Sequence, residues 1–142
     1  MKYHIKKTSW NENKDALSEI RRKVFIEEQN VPEELEWDEH DQHCTHVLVT
    51  DETNKAIACG RLKTDGHIGR MAVLKNYRSA GIGTSILKEL LAHAKSLNIE
   101  KVYLHAQTSA ISFYEKQGFE VISEEFMDAG IAHKSMEKYL TA

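Results

Sequence analysis

The run Arg78-Ser79-Ala80-Gly81-Ile82-Gly83-Thr84 contains the ingredients of an anion site. Glycine lets a backbone turn tightly and aim several N–H groups at one point, and the N-terminus of a following helix adds partial positive charge there. Arg78 can contribute a charge-assisted bond, and the hydroxyls of Ser79 and Thr84 neutral ones, so the expected ligand group is a phosphate. Two better-known phosphate loops do not fit. No third glycine follows Gly81 and Gly83 at the dinucleotide-fold spacing, and the chain contains no G-x-x-x-x-G-K-[ST]. A second cluster, His40-x-x-His43-x-x-His46 interleaved with Asp38, Asp41 and Cys44, carries imidazoles and a thiol suited to zinc. Structural zinc sites usually draw a second ligand pair from elsewhere in the chain, and none is present, so a polar loop without metal is expected.

These residues must be held by regular elements. Ile68, Met71 and Val73 mark a strand leading into the loop. Beyond it, Ile82, Ile86, Leu87, Leu90, Leu91, Ala94 and Leu97 recur at three- and four-residue spacing, which predicts a helix over 82–97 ended by Asn98. Upstream, residues 2–7 alternate as a first strand, 15–29 place Leu17, Ile20 and Val24 on one helical face until Val31-Pro32 interrupts, and 46–50 and 56–62 are strands across the polar turn 51–55. Downstream come a buried strand at 102–104, a short helix over 109–117 closed by Gly118, and two last strands at 121–122 and 134–140. The order β-α-β-β-β-α-β-α-β-β predicts an α/β sandwich with a mixed central sheet flanked by helices, in one domain over 1–142.

His105-Ala106-Gln107, then Phe113-Tyr114-x-x-x-Gly118-Phe119, follow Arg-x-x-Gly-x-Gly-Thr in the chain. In this order the segments resemble the GNAT superfamily of acyl-CoA-dependent N-acetyltransferases. Val24 to Pro32, followed by Glu36, Asp38, Asp41 and His46, is similar to a small stand-alone bacterial branch of it. The resemblance implies acetyl-CoA as acyl donor. Its pantetheine would pair with the backbone of Met71, Ala72 and Val73, and its pyrophosphate would rest on Arg78, Ser79, Ala80, Gly81, Ile82, Gly83 and Thr84. Direct attack by an amine in a ternary complex then needs neither metal nor covalent intermediate. Tyr114 matches the family's tyrosine and is the expected acid at the sulfur; its alternative is packing beside Phe113 on the sheet. His133, in Gly130-Ile131-Ala132-His133, is the expected base, because imidazole as a residue type titrates near neutrality. Glu28, or a carboxylate acting through a water, is the alternative base. Arg21 and Arg70 correspond to places where similar enzymes hold an acidic acceptor, and at Gln107 some of those relatives carry an arginine.

The acceptor side carries mixed signs. Between residues 27 and 41 stand Glu27, Glu28, Glu33, Glu34, Glu36, Asp38, Glu39 and Asp41 with no Lys or Arg, a run that would draw in a cationic amine or form a solvated acidic loop. A small amine-bearing metabolite that also carries an anion would satisfy both the acids and the arginines. A protein of this fold that binds acyl-CoA without catalysis, as a sensor or interaction module, is the rival reading.

Composition bounds the rest. Hydrophobic residues make up 41% and charged residues 29% of 142, with a net charge of −3, so a nucleic-acid partner, which needs clustered basic residues, is not expected. No apolar stretch approaches a membrane span, and the N-terminal residues lack the apolar run of a signal peptide, so the expected location is cytoplasmic and no membrane partner is expected. Cys44 and Cys59 are then expected as free thiols. A homodimer would be in keeping with such short relatives.

Overall fold

The computed structural model describes residues 2–140. Strand β1 (Tyr3–Thr8) is followed by helix α1 (Trp10–Arg21), which Ser9 caps by accepting the Glu12 N–H. The helix therefore begins earlier than its apolar period indicates. From Arg22 to Glu28 it widens into a π-helix, seen in the Gln29 N–H reaching back to the Val24 carbonyl at 3.1 Å. This wide turn carries Phe25 and Gln29 toward the cavity described below. A one-turn helix α2 (Glu33–Glu36) and a 3₁₀ turn (Glu39–His43) complete the segment.

Strands β2 (Thr45–Asp51), β3 (Ala56–Leu62) and β4 (Ile68–Val73) extend β1 into an antiparallel sheet of order β1-β2-β3-β4. Alternation along β2 feeds two cores. Val47 and Val49 pack with Ile82, Ile86, Leu87 and Leu90 of helix α3 (Ile82–Ser96), whereas Leu48 packs on the other face with Leu17, Ile20 and Val24 of α1. Burying each such side chain contributes about 1.5–3 kcal/mol, which anchors both helices to the sheet. A Cβ on Gly60 would stand 2.6 Å from Ile86 Cγ2, so α3 can lie this close to β3 only over a glycine. Asn98, at φ 61°, ends the helical hydrogen bonding as expected.

The second half pairs β5 (Lys101–Gln107) with β8 (Ile131–Tyr139), and β8 with β6 (Glu120–Val121) and β7 (Phe126–Asp128). Helix α4 (Ile111–Glu115), introduced by a 3₁₀ turn at Thr108–Ala110, fills the connection and closes at Gly118, φ 91°. β8 starts three residues before the expected position, and β7 is a strand that the apolar pattern does not reveal. The two antiparallel halves meet through one parallel bridge, His67 to Tyr103, with the Tyr103 N–H on the Gly66 carbonyl at 3.1 Å. Past that bridge no ladder joins β4 to β5 among the described residues, and a cavity opens between them. No described helix is long and apolar enough to cross a membrane, and Cys44 and Cys59 are buried free thiols.

Candidate active site

The cavity, of about 310 Å³, is lined by Met71 from β4, Leu104, His105 and Gln107 from β5, Tyr114 from α4 and His133 from β8. A bulge shapes its β4 wall. Arg61 pairs with Gly69 and Cys59 with Ala72, so β4 carries one residue more than β3 there, and Arg70 takes φ 50°. Ala72 itself points into the α1 core. The Leu74 N–H bonds the Ile57 carbonyl on β3, whereas the neighbouring Val73 carbonyl turns away and accepts the Arg78 Nε–H at 2.9 Å. β4 thus presents backbone on its open side, where an extended chain can be added.

At the far end of that edge the loop turns into α3. Ser79 and Gly81 both adopt the left-handed region, φ 68° and 79°, and Gly81 caps α3 with no side chain on the first N–H groups. A Cβ at Gly81 would meet nothing within 4 Å, so the turn is open on the side where a side chain would stand. Uncapped N–H groups, a helix N-terminus and an open approach fit a pyrophosphate. Ile82 is buried and fixes the helix to the core, while Ala80 is exposed and Thr84 half-buried. Gly83 does not share the role of Gly81 in the turn. It lies inside the helix, and an added Cβ would stand 3.6 Å from Phe113, an ordinary contact. Arg78 is already engaged: its guanidinium grips Glu28 through two bonds of 2.7 Å. Glu28 belongs to a second hollow of about 260 Å³ beside Lys23, Lys55 and Lys75, outside the main cavity.

Tyr114 and His133 meet at the cavity. The Tyr114 hydroxyl points at the Met71 sulfur, 3.7 Å away, and burial pushes its pKa up to about 12. His133 is only 8% exposed; its Nδ1 lies 2.7 Å from the Ile131 carbonyl, which can only accept, so Nδ1 bears a proton and, in the neutral ring, the lone pair is on Nε2. Phe126 stacks on the ring at 5.9 Å between centroids and holds its plane. Gln107, opposite His133 on the ladder, donates from Nε2 to Gln29 Oε1 at 2.8 Å.

Arg21 is elsewhere. It is 1% exposed and lines no part of the cavity; Nε donates to Glu36 and Nη1 to Asp41, each at 2.8 Å, and the indoles of Trp10 and Trp37 flank the guanidinium. Burial works against this charge, but the bonds and field of Asp41 and Glu36 outweigh it and raise the Arg21 pKa. Arg61 joins the cluster through Asp38 and Asp41, both at 2.9 Å. Arg70 reaches the cavity yet bonds the Glu36 carbonyl and Asp38, with its Nε 3.1 Å from Glu36 but misaligned for a hydrogen bond. The acidic segment therefore divides, with Glu27, Glu34 and Glu39 exposed and without a Lys or Arg partner among the described residues and the other five acids paired. Glu36, Asp38 and Asp41 are neutralised by Arg21, Arg61 and Arg70, Glu33 by Arg22, and Glu28 by Arg78. The histidines next to it also disperse: His46 is buried, with Nε2 2.9 Å from the Asp41 carbonyl, and His40 is exposed.

Residues not singled out in the sequence complete the wall. His67 stacks on Tyr103 at 4.7 Å and meets His105 edge-on at 5.0 Å. Burial, with His105 and Lys63 nearby, pushes the His67 pKa down to about 4, so the His67 ring is uncharged at neutral pH. Strand alternation from Gln107 would have placed His105 beside it; no comparable signal marks Gln29, Lys63 or Asp128.

A family model described as an acetyltransferase (GNAT) domain matches residues 10–140. The uncharacterized N-acetyltransferase YjcF of Bacillus subtilis is 43% identical over 129 residues, covering 88% of this chain and 91% of that protein. The uncharacterized protein YyaT of the same organism is 38% identical over 144 residues, 97% of each. An acyl-CoA N-acyltransferase structure from Pseudomonas aeruginosa superposes with a TM-score of 0.87 at 25% identity, covering 96% of this chain and 99% of that one.

Proposed function

This chain belongs to the GNAT family of acetyltransferases, and on that premise we propose that it moves an acetyl group from acetyl-CoA to the primary amine of a small metabolite by direct attack. The observation that carries this reading is the opening between β4 and β5, which has an uncapped helix N-terminus at one end and Tyr114 with His133 at the other. When bound, acetyl-CoA supplies the acetyl group already activated as a thioester. The backbone of Met71 and Val73 holds the extended pantetheine, and the amides at the start of α3, with Arg78, hold the pyrophosphate. Gln107 and Gln29 border the acceptor.

Two protons leave the attacking ammonium in the course of the reaction. His133 Nε2 takes one and passes it to water, which its fixed tautomer permits. The second ends on the sulfur. A phenol held near 12 is a weaker acid than an ordinary thiol at about 8.5, so Tyr114 acts mainly by donating a hydrogen bond to the departing thiolate. Positioning supplies the remaining acceleration.

The test is calorimetric titration with acetyl-CoA followed by thiol-release assays on amino acids, polyamines, aminosugars and peptides. Donor binding with transfer to a small amine supports the reading. Failure to bind acetyl-CoA would overturn it, and tight donor binding with no transfer to any member of the panel would assign the chain to acyl-CoA sensing.

A further inference from the structure

Five side chains with a formal charge line the main cavity: Glu36, Arg61, Lys63, Arg70 and Asp128. Three of them belong to the buried cluster and are balanced within it, Glu36 against Arg21, Arg61 against Asp38 and Asp41, and Arg70 against Asp38. Lys63 and Asp128 have no ion-pair or side-chain hydrogen-bond partner among the described residues. They sit on two different hairpins. Lys63 opens the β3–β4 turn, whose shape is fixed by its own N–H on the His67 carbonyl at 2.9 Å and by Asp65 bonding both the His67 N–H and the Tyr103 hydroxyl. Asp128 ends β7, at a turn completed by Ala129 and Gly130 with φ 52° and 78°.

His105 lies between the two hairpins, near enough to feel both charges, Asp128 favouring its protonation and Lys63 opposing it. His67 is held neutral, so the free positive charge on this wall is that of Lys63. Lys63 is half-buried and has no partner for its ammonium among the described residues, and an anion arriving in the cavity would supply one. The carboxylate of Asp128, on the strand paired with the His133 segment, offers the matching contact for an ammonium about to be deprotonated.

We propose that Lys63 and Asp128 together select a zwitterionic acceptor, a small molecule whose amine is held by Asp128 beside His133 and whose carboxylate or phosphate is held by Lys63. This rests on reading the cavity as the acyl-transfer site, and it moves acceptor recognition away from Arg21 and the acidic segment.

The experiment compares kcat/KM for matched acceptors at one acetyl-CoA concentration: amino acids, aminoalkyl phosphates and the plain amines that lack the anion, each with wild type, Lys63→Met, Lys63→Arg and Asp128→Asn. Wild type should prefer the anion-bearing member of a pair by about tenfold or more, the size of a charge-assisted bond. Lys63→Met should bring that ratio to near one, Lys63→Arg should keep it, and Asp128→Asn should lower both members alike. Whether carboxylates or phosphates lead identifies the anion. Plain amines performing equally well, or a ratio unchanged in Lys63→Met of wild-type melting temperature, would overturn the proposal. So would acetyl-CoA binding with no turnover of either class, whereas absence of acetyl-CoA binding would remove the parent reading first.

Discussion

Arg78 and Glu28 are joined by two bonds of 2.7 Å, across fifty residues of sequence, at the edge where the donor's pyrophosphate is proposed to lie. An exposed pair of this kind is worth about 1 kcal/mol or less, little enough for a doubly charged ligand to displace. Glu28 nevertheless competes for the guanidinium. Glu28→Gln should tighten acetyl-CoA binding by about two- to fivefold, and Arg78→Ala should weaken it by a similar factor because the backbone amides remain. Calorimetry decides the matter, and weaker donor binding in Glu28→Gln would show that the pair is needed intact.

The two loop glycines should fail differently. Gly81 has φ 79°, so Gly81→Val strains the turn whatever the space and should lower both stability, by about 1–2 kcal/mol, and donor affinity. Gly83→Val meets only an ordinary contact with Phe113, so the protein should keep most of its stability and lose donor affinity through the side chain placed against the phosphates. Equal donor affinity in a folded Gly83→Val protein would remove the phosphate assignment from this loop.

Helix α3 was legible because its apolar residues repeat at the helical period and one long face is buried; the glycine loop was legible because its backbone need is written in residue type. The ion cluster was not. Arg21, Arg61 and Arg70 come from α1, β3 and β4, while Glu36, Asp38 and Asp41 share one short segment, and a periodicity reading assigns charged residues to water. β7 escaped because Phe126–Asp128 is too short for alternation to register. Lys63 and Asp128 escaped for a related reason. A charge in a turn has no pattern until the fold shows which other charges are already paired.

Breaking the cluster should cost more than any surface pair. Arg21→Met removes the hydrogen bonds to Glu36 and Asp41, leaving Glu36 only Arg70 and Asp41 only Arg61, in a site where the arginine itself is 1% exposed, and the expected loss is about 3–5 kcal/mol by urea unfolding. Adding Glu36→Gln should recover part of that loss, since one charge that has lost a partner disappears. A loss below about 1 kcal/mol for Arg21→Met would mean that Arg61 and Arg70 already satisfy Asp41 and Glu36.

The proton-handling residues separate by what each variant loses. His133 accepts through Nε2, so His133→Ala should lower acceptor kcat/KM by about 10²–10⁴-fold while acetyl-CoA affinity stays within about twofold. A loss below about tenfold in the variant would give the base to another group. Tyr114→Phe keeps the ring between Phe113 and Phe119 and removes only the hydroxyl, so acetyl-CoA affinity should stay within about twofold while kcat drops by about tenfold or more. Because Tyr114 holds its proton up to about 12, its loss should scale the whole profile between pH 6 and 10 without bending it. A basic limb that disappears in Tyr114→Phe would instead show a phenol titrating within that range, which its buried position beside Met71 forbids.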